Sequence, residues 1–530
     1  MAPADPPLTP FRTATMASGR LRLLAAIASA AAIAAALIWL LPSRAAGPSS
    51  ATNAAAGHSA RHGRNHRPAK PRGRPVTVVV DSAQPGARVP RDFLGLSFEM
   101  ADLSRIATYA HQGDLVALMR SLGPGVMRFG GISADTNTGW STGPSPPAPW
   151  NTRPVGPQTM SGLGELARAT GWRVILTVDL GHYDPGAAAQ EARSAQAALG
   201  PALMGVSIGN EPDAYAGQHI RGSSWNFAAY RVQAAAYRRA ISAAAPGVAF
   251  VGPDASSGVG PLSWVTDAAR SAPPALLSDH FYPSSRCGYT PTVSDLTSPR
   301  TRQSATDMFA RLRTISHHSG LPLRLAETNN ISCRGQPGVS NVFVSALWGV
   351  DYAVRAMASG LPGINLHSLI GEPRSYSPLV GSGRPALAQG QLYAHPEWYA
   401  LLMAHELLGD RPVRASVPQP HPGLVAHALL APDGRVHIVL INFDPSGAEP
   451  LQVTLRAPGR LRSGSVLSLR APSLRAVTGV RLGGRSVAPD GSWTLPAHLP
   501  AMYRSSGTLS LSLAPGTAAL VTLKRPTRHP

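Results

Sequence analysis

Three glutamates stand where apolar runs of the sequence end, namely Glu99, Glu211 and Glu327, out of only nine in the chain. A carboxylate at the end of a buried strand is costly unless it is paired or takes part in chemistry. Two facing carboxyl groups can act together on one glycosidic bond, with one protonating the leaving oxygen and the other attacking the anomeric carbon. We therefore predict that Glu211 and Glu327 are a catalytic pair.

The elements that would position these residues are eight short apolar runs, separated by stretches of helical length such as 226–245 and 341–359. Strands that alternate with helices are typical of parallel sheets, and eight such units in about 290 residues favour a (β/α)8 barrel over an open sheet. The predicted strands are residues 93–100, 125–131, 174–181, 203–209, 249–255, 276–282, 323–327 and 363–369.

Reactive groups of a (β/α)8 barrel lie at the carboxyl ends of its strands. Glu211 follows predicted strand 4, where Pro212 ends the strand, and Glu327 ends strand 7, so the two carboxylates face each other across the barrel mouth. A retaining glycosidase needs its two carboxyl groups about 5–5.5 Å apart. Its acid also needs a raised pKa, which burial beside a second carboxylate supplies.

Other interpretations of these residues are weaker. Asn210-Glu211 could be a cap at a strand–helix junction, and His280 and His367, which also end strands, could be structural histidines. The sequence contains neither a phosphate-binding loop nor a His-Glu-x-x-His motif. We accordingly expect no cofactor and no catalytic metal.

The remaining organisation follows from changes in composition. After about residue 385 many short strands with Gly/Pro turns indicate an antiparallel β-sandwich over 386–527, following the barrel at 93–385. The net charge of +20 is concentrated outside the barrel, because residues 1–75 contribute +9 and 386–530 contribute +7. A nearly balanced barrel argues against nucleic-acid binding.

The amino-terminal region predicts export. Residues 1–22 form a short basic segment, and residues 23–41 are apolar for 19 residues without a charge, which favours a transmembrane anchor over the hydrophobic core of a cleaved signal peptide. Residues 42–75 have the composition of a basic, disordered linker. We expect a single-pass cell-membrane protein with its catalytic domains outside, or else a secreted one.

Six segments in the order of the chain resemble glycoside hydrolase family 79, the β-glucuronidase and heparanase family. They are Phe93-Leu94-Gly95-Leu96-Ser97-Phe98-Glu99, Met127-Arg128-Phe129-Gly130-Gly131, Ser207-Ile208-Gly209-Asn210-Glu211-Pro212, His280-Phe281-Tyr282, Leu325-Ala326-Glu327-Thr328-Asn329 and Tyr376-Ser377-Pro378-Leu379. The resemblance covers roughly residues 76–525. It also implies that the strand in 76–92 pairs with the sandwich.

The resemblance implies roles for the residues around the pair. Glu211 would be the acid/base and Glu327 the nucleophile. The substrate-binding residues would be Glu99, Asn210, Tyr282 and Tyr376, with Tyr376 near a uronate carboxylate. His280 is a further substrate-binding candidate, because it ends a strand at the barrel mouth. The loop after Glu327, Asn330-Ile331-Ser332-Cys333-Arg334-Gly335, departs from the glycine-rich family version, so Arg334 is either a substitute contact for the carboxylate or a solvent-facing side chain.

The two cysteines, Cys287 and Cys333, follow predicted strands 6 and 7, and we hypothesise that they form a disulfide that stiffens the substrate loop. The favoured function is a retaining β-glucuronidase acting on a carbohydrate substrate. The alternatives are a glycosidase of the same superfamily without uronate specificity and a non-catalytic carbohydrate-binding protein at the cell surface. The sequence gives no sign of an obligate protein partner.

Overall fold

The computed structural model describes residues 73–143, 146–256, 262–457, 463–503 and 508–524. The predicted anchor at 23–41 and the basic segment at 1–22 lie outside these residues, as does nearly all of the predicted linker. Within the described residues, no helix is both long and apolar enough to cross a membrane. The first strand, β1 (Arg74–Asp81), begins one residue before the predicted end of the linker at 75.

Eight parallel strands form a nearly closed barrel, which confirms the predicted strand count. Their order in the sheet is β5-β4-β3-β2-β9-β8-β7-β6, and a bridge between Val206 and Phe250 joins the two end strands. At this seam the N–H of Val206 donates to the carbonyl of Ala249 over 2.9 Å. The strands are β2 (Leu94–Glu99), β3 (Val126–Gly130), β4 (Arg173–Val178), β5 (Leu203–Ile208), β6 (Val251–Ala255), β7 (Leu276–Phe281), β8 (Leu323–Thr328) and β9 (Ile364–Ser368).

Helices connect and cover these strands. Asp184, Asn226 and Ser298 cap the amino ends of three of them by accepting a backbone N–H in the first turn. The helices are α1 (Leu103–Thr108), α2 (Leu115–Ser121), α3 (Ser133–Thr136), α4 (Pro157–Thr170), α5 (Pro185–Leu199), α6 (Phe227–Ala244), α7 (Ser263–Ser271), α8 (Val293–Thr297), α9 (Pro299–Ser319), α10 (Phe343–Ser359), α11 (Arg384–Ala388) and α12 (Pro396–His405), with 3₁₀ turns at Met100–Asp102, Gly200–Ala202 and Pro212–Ala214.

The predicted sandwich range 386–527 includes a helix that packs on the barrel. Helix α12 is buried along most of its length and packs with α10 in the core that contains the barrel, where Ala400 lies against Gly349. It therefore covers the barrel after β9. The second domain begins with β12 at Arg411, because its strands pair only with one another and with β1 among the described residues.

The carboxyl-terminal strands form one mixed sheet, whereas an antiparallel sandwich was expected. Its order is β17-β16-β20-β14-β13-β12-β1-β15-β19, with β18 beside β16, and β1 runs parallel to β15 but antiparallel to β12. The strands after the barrel are β10 (Leu379–Val380) and β11 (Tyr393–Ala394), which pair with each other, then β12 (Arg411–Ser416), β13 (Leu424–Leu430), β14 (Val436–Asn442), β15 (Leu451–Arg456), β16 (Ser463–Arg470), β17 (Arg481–Leu482), β18 (Ala501–Tyr503), β19 (Leu509–Leu513) and β20 (Thr517–Lys524).

The two faces of this sheet have different partners. Val78 of β1 shares a core with Ile438 of β14 and Val521 of β20, although β1 lies several strands away, so the sheet curls onto itself. Val439 and Ile441, on the other face of β14, belong to the core that contains the barrel strands. The sheet thus buries one face internally and packs the other against the barrel.

Candidate active site

The two predicted catalytic glutamates lie together at the carboxyl end of the barrel. Glu327 is part of β8, and Glu211 follows β5 after Gly209 and Asn210. Gly209 and Glu211 both have a left-handed backbone, with φ of 75° and 50°, which turns the chain sharply before Pro212. One carboxylate oxygen from each glutamate and a ring nitrogen of His280 lie within 4.8 Å of one another. This proximity is compatible with two carboxyl groups that act on one glycosidic bond.

Arg128 of β3 connects the residues of the site. Its side chain is fully buried, and its guanidinium donates to Glu327 over 2.7 Å, to Asn210 over 2.8 Å and to Asp254 over 3.0 Å. A further bond of 3.1 Å reaches the hydroxyl of Ser97. A buried arginine is tolerated where carboxylates neutralise it, and here both terminal nitrogens of the guanidinium are hydrogen-bonded while Nε has no partner within the described residues. Arg128 therefore fixes the nucleophile candidate and Asn210 in one rigid network.

The two glycines after Phe129 make room for this network. A side chain at Gly130 would collide with the guanidinium of Arg128, and one at Gly131 would collide with the carboxylate of Glu99. Gly131 also has a left-handed φ of 70°. The sequence Arg128-Phe129-Gly130-Gly131 thus places a cation and leaves space for two polar side chains that cross over the backbone.

Glu327 is held in its charged form. Its Oε2 accepts from Arg128, its Oε1 accepts from the hydroxyl of Tyr282 over 2.8 Å, and Nδ1 of His367 lies 3.5 Å away. Burial alone would raise the pKa of Glu327, but His367, His280 and Arg128, together with the Tyr282 hydroxyl, lower it to about 2. A carboxylate that stays ionised at neutral pH can act as a nucleophile.

Glu211 has the opposite electrostatic environment. Burial raises its pKa, His280 opposes this effect, and the negative charge of Glu327 adds to it. Nδ1 of His280 lies 3.0 Å from Oε1 of Glu211. Two neighbouring carboxyl groups whose pKa values are pushed apart are the arrangement that assigns one to acid and the other to nucleophile chemistry.

The predicted substrate-binding residues surround one cavity of about 630 Å³. Glu99 accepts from the hydroxyl and the backbone N–H of Ser133, and its other oxygen lies 3.5 Å from Nε2 of His367. The rings of Tyr282 and Tyr376 are in contact, with centroids 5.7 Å apart. All eight predicted site residues line this cavity, namely Glu99, Asn210, Glu211, His280, Tyr282, Glu327, Arg334 and Tyr376.

Arg334 lies at the mouth of the cavity and is already paired. Its guanidinium contacts both carboxylate oxygens of Glu372, and its side chain is 66% exposed. Arg334 is therefore an exposed side chain that an ion pair with Glu372 holds at the mouth of the cavity.

Cys287 and Cys333 form a disulfide that joins the loops after β7 and β8, with a Cα–Cα distance of 5.9 Å. Ser285 and Ser332 also pair across these two loops. Cys333 lines the cavity beside Arg334, whereas Cys287 does not. The disulfide thus stabilises the rim that carries Arg334.

Two further carboxylates, Asp135 and Glu397, bind residues next to the catalytic pair, and neither was predicted from the sequence. Asp135 accepts the backbone N–H groups of Asn210, Leu180 and Gly181 over 2.7 to 3.0 Å, so it fixes the turn before Glu211. Glu397 of α12 accepts from Asn329 over 3.1 Å and from Asn330 over 3.2 Å. Asp135 thus holds the backbone before Glu211, and Glu397 holds the side chains of the two asparagines that follow β8.

Arg128 and Asp254 are two further functional residues that the sequence alone did not identify. A charged residue inside an otherwise apolar strand is costly unless it is paired, and Met127-Arg128-Phe129 carries this signal. Asp254 follows Val251-Gly252-Pro253 in β6 in the same way. Their pairing joins strands that are far apart in the sequence, so only the fold reveals it.

The triad Glu211, His280 and Glu327 has donor atoms that could in principle surround a cation. All three members, however, are already engaged, since Arg128 supplies a positive charge to Glu327 and His280 bonds Glu211. A divalent cation would have to compete with that guanidinium. The geometry therefore favours proton transfer within the triad over metal binding.

Another cavity, of about 720 Å³, lies between α9 and α10, with His427 of β13 at one side. Arg355 and His427, which line it, both pair with the buried carboxylate of Asp351. This cavity contains none of the predicted site residues, and we assign the chemistry to the cavity with the two glutamates.

Comparisons of the sequence with known proteins give short matches. No protein-family model matches the chain. A β-glucuronidase of Neurospora crassa is 41% identical over 46 residues, which cover 9% of this chain and 8% of that protein. A β-glucuronidase of Aspergillus niger is 28% identical over 179 residues, which cover 30% of this chain and 33% of that protein. The chain thus matches a third or less of the length of these two relatives.

Solved structures match over most of the chain and support the fold. A 4-O-α-L-rhamnosyl-β-D-glucuronidase from Fusarium oxysporum has a TM-score of 0.67 and 20% identity, covering 84% of this chain and 100% of that one. A family 51 arabinofuranosidase from Xanthomonas axonopodis pv. citri has a TM-score of 0.59 and 15% identity, covering 85% and 99%. The curated relatives and these structural neighbours are glycoside hydrolases, and they include β-glucuronidases.

Proposed function

We propose that this protein is a retaining glycoside hydrolase that cleaves terminal β-glucuronides. The observation that carries the proposal is the pair Glu211 and Glu327, which come within 4.8 Å of each other and have pKa values shifted in opposite directions. Membership of glycoside hydrolase family 79 is part of the same proposal. The resemblance of the sequence segments and the matched β-glucuronidases support it.

The proposed reaction has two displacements. In the first, the carboxylate of Glu327 attacks the anomeric carbon while Glu211 gives its proton to the leaving oxygen, which forms a glycosyl ester on Glu327. In the second, Glu211 removes a proton from a water molecule, and the oxygen of that water displaces Glu327 from the anomeric carbon. Arg128 and Tyr282 hold Glu327 in place through both steps, since they bind one carboxylate oxygen each.

Preference for a uronate is supported by the rim of the cavity. Cys333, Arg334 and Gly335 have consecutive left-handed φ values of 60°, 69° and 74°, two of them at residues other than glycine. The backbone N–H groups of these three residues donate to no backbone carbonyl within the described ranges. Successive N–H groups in a turn form a concavity suited to an anion. Such strain in non-glycine residues persists where the surroundings impose it, and here the disulfide does so.

A second candidate is a glycosidase for neutral sugars. Its support is the ion pair between Arg334 and Glu372, which neutralises the cation at the rim before any substrate arrives. The arabinofuranosidases among the structural neighbours share the same fold. A substrate carboxylate would have to displace Glu372 or bind the backbone N–H groups beside it.

Hydrolysis of a panel of p-nitrophenyl glycosides by the full-length protein tests both candidates, with β-glucuronide, β-glucoside and α-L-arabinofuranoside compared at equal concentration. We expect turnover of the glucuronide at the highest kcat/KM and none by Glu327→Gln, which controls for contaminating enzymes. Turnover of a neutral glycoside in preference to the glucuronide would reject the uronate. No turnover of any glycoside would reject the hydrolase.

We also propose that the catalytic domains are exported. The disulfide between Cys287 and Cys333 supports it, because structural disulfides belong to oxidising compartments. Membrane anchoring through residues 23–41 is supported by the length of their apolar run. Extraction of the full-length protein from cell membranes by detergent but not by salt is the expected result.

A further inference from the structure

Asp254 contacts the acid/base candidate, Glu211, through a backbone hydrogen bond. It belongs to β6, is completely buried and has a left-handed φ of 54°. Its carbonyl accepts the backbone N–H of Glu211 over 2.9 Å, while its Oδ2 accepts from Arg128 over 3.0 Å. A strained, buried and charged residue at this position indicates a functional constraint.

The other oxygen of Asp254 faces His280. Oδ1 of Asp254 and Nε2 of His280 are 3.9 Å apart, and neither has a hydrogen-bond partner at normal distance within the described residues. Nδ1 of His280, on the opposite side of the ring, lies 3.0 Å from Glu211. Buried polar atoms pair with complementary atoms. An unprotonated Nε2 of His280 would point a lone pair at the Asp254 carboxylate, whereas a protonated Nε2 would point an N–H donor at it.

We propose that Asp254 is a positioning residue that holds His280 with a proton on Nε2, so that Nδ1 of His280 and the carboxyl of Glu211 share one proton. The inference rests on the proposed function and identifies its general acid as a unit of two residues. When Glu211 gives the proton to the leaving oxygen, His280 is left neutral with its proton on Nε2. The proton taken later from water restores the shared proton between Glu211 and Nδ1.

The groups that face this unit come from several strands. Arg128 of β3 and Glu327 of β8 act on His280 together with Glu211 and Asp254, and the hydroxyls of Ser207 and Ser278 lie beside the Asp254 carboxylate. Burial and Arg128 lower the pKa of His280, but Glu327, the bond to Glu211 and Asp254 outweigh them and raise it. Burial would raise the pKa of Asp254, yet Arg128 and His280 lower it, so this carboxylate stays charged.

The tautomer of His280 can be read directly, without turnover. We would record the ¹⁵N spectrum of the full-length protein labelled in its histidines and assign His280 by the signal that is lost in His280→Gln. The proposal expects Nε2 to carry a proton across the pH range of stable folding. A His280 signal with a bare Nε2 and a proton on Nδ1 would overturn it, whether or not the protein hydrolyses glucuronides.

The pH dependence of kcat/KM for p-nitrophenyl glucuronide gives the second readout. Asp254→Asn removes a negative charge 3.9 Å from Nε2, so the shared proton is held less tightly and the basic limb should move to lower pH by about one unit or more. A purely structural role would lower activity and leave this limb in place, which would overturn the proposal. The matched control is Asp351→Asn, because Asp351 is also buried and paired with an arginine and a histidine, but lies on α10. We expect this control to leave the limb unchanged.

Discussion

Replacing Glu191 with glutamine should remove a pH dependence of stability that burial creates in α5. Glu191 is only 2% exposed, and its Oε1 has no hydrogen-bond partner within the described residues. Burial, with the nearby charge of Asp179, raises its pKa from 4.5 to about 8. Between these two values the folded protein holds a proton that the unfolded chain has released.

The sign and size of the effect follow from this difference in proton binding. The contribution of Glu191 to the free energy of unfolding is fully present below about pH 4.5 and is lost as the pH rises through about 8. At about 1.4 kcal/mol per pH unit, the wild type should lose about 4 kcal/mol between pH 5 and pH 8 through this group. Glutamine imitates the protonated form, so Glu191→Gln should be free of this loss.

Urea unfolding followed by tryptophan fluorescence at pH 5, 6, 7 and 8 measures the difference. The variant and the wild type should have similar free energies of unfolding at pH 5, and the variant should be more stable by about 4 kcal/mol at pH 8. Glu165→Gln, at a position whose side chain is 45% exposed on α4, is the control and should follow the wild type. Parallel curves for Glu191→Gln and wild type would refute the reasoning.

Four other variants test the site. Glu211→Ala should lower kcat/KM by about 10²- to 10⁴-fold for glucuronides with poor leaving groups and far less for dinitrophenyl glucuronide; equal losses in steady-state assays would contradict its role as the acid. Arg128→Met leaves buried carboxylates unpaired and should lower the free energy of unfolding in urea by about 3–5 kcal/mol, so an unchanged midpoint would count against the network. Cys287 and Cys333 are 46 residues apart, and replacing both with serine should lower the free energy of unfolding by about 4 kcal/mol and raise KM. An unchanged KM would show that the disulfide does not contribute to substrate binding. Arg334→Ala should raise KM for p-nitrophenyl glucuronide by about tenfold or more and leave that for the glucoside unchanged, and a similar change for both would argue against a carboxylate contact.

The barrel could be predicted from the sequence because its strands are buried on both faces. Strand β8 is buried at every residue, and so are β3 and β7, so each appears in the sequence as a short, largely apolar run. The predicted strands coincide with β2 to β9, and most ends differ by only one or two residues. Placement of Glu211 and Glu327 followed from the rule that reactive groups lie at the carboxyl ends of barrel strands.

The second domain was harder to predict, because its pairing depends on distant contacts. Strand β12 contains Pro412 and alternates irregularly between buried and exposed residues, so it gives no clear strand signal. The parallel contact of β1 with β15 joins segments more than 370 residues apart. Neither the single mixed sheet nor the position of α12 over the barrel can be read from local periodicity.

The interior of the site was the least predictable part. The sequence marks Arg128 only as a charge inside an apolar strand, and it cannot show that this one side chain contacts Asn210, Asp254 and Glu327. The pairing of Arg334 with Glu372 is equally invisible in the sequence. Roles that depend on partners from four different strands require the closed barrel.

The central claim is that Glu327 is the nucleophile of a retaining glycosidase, and trapping its covalent intermediate tests this most directly. The full-length protein would be incubated with an activated 2-deoxy-2-fluoro-glucuronide, digested with protease and analysed by mass spectrometry. We predict one added sugar residue on the peptide that contains Glu327, with loss of activity in proportion to labelling. Labelling of Glu211 instead, or turnover of the ordinary glucuronide with inversion at the anomeric carbon and no labelled peptide, would contradict the account.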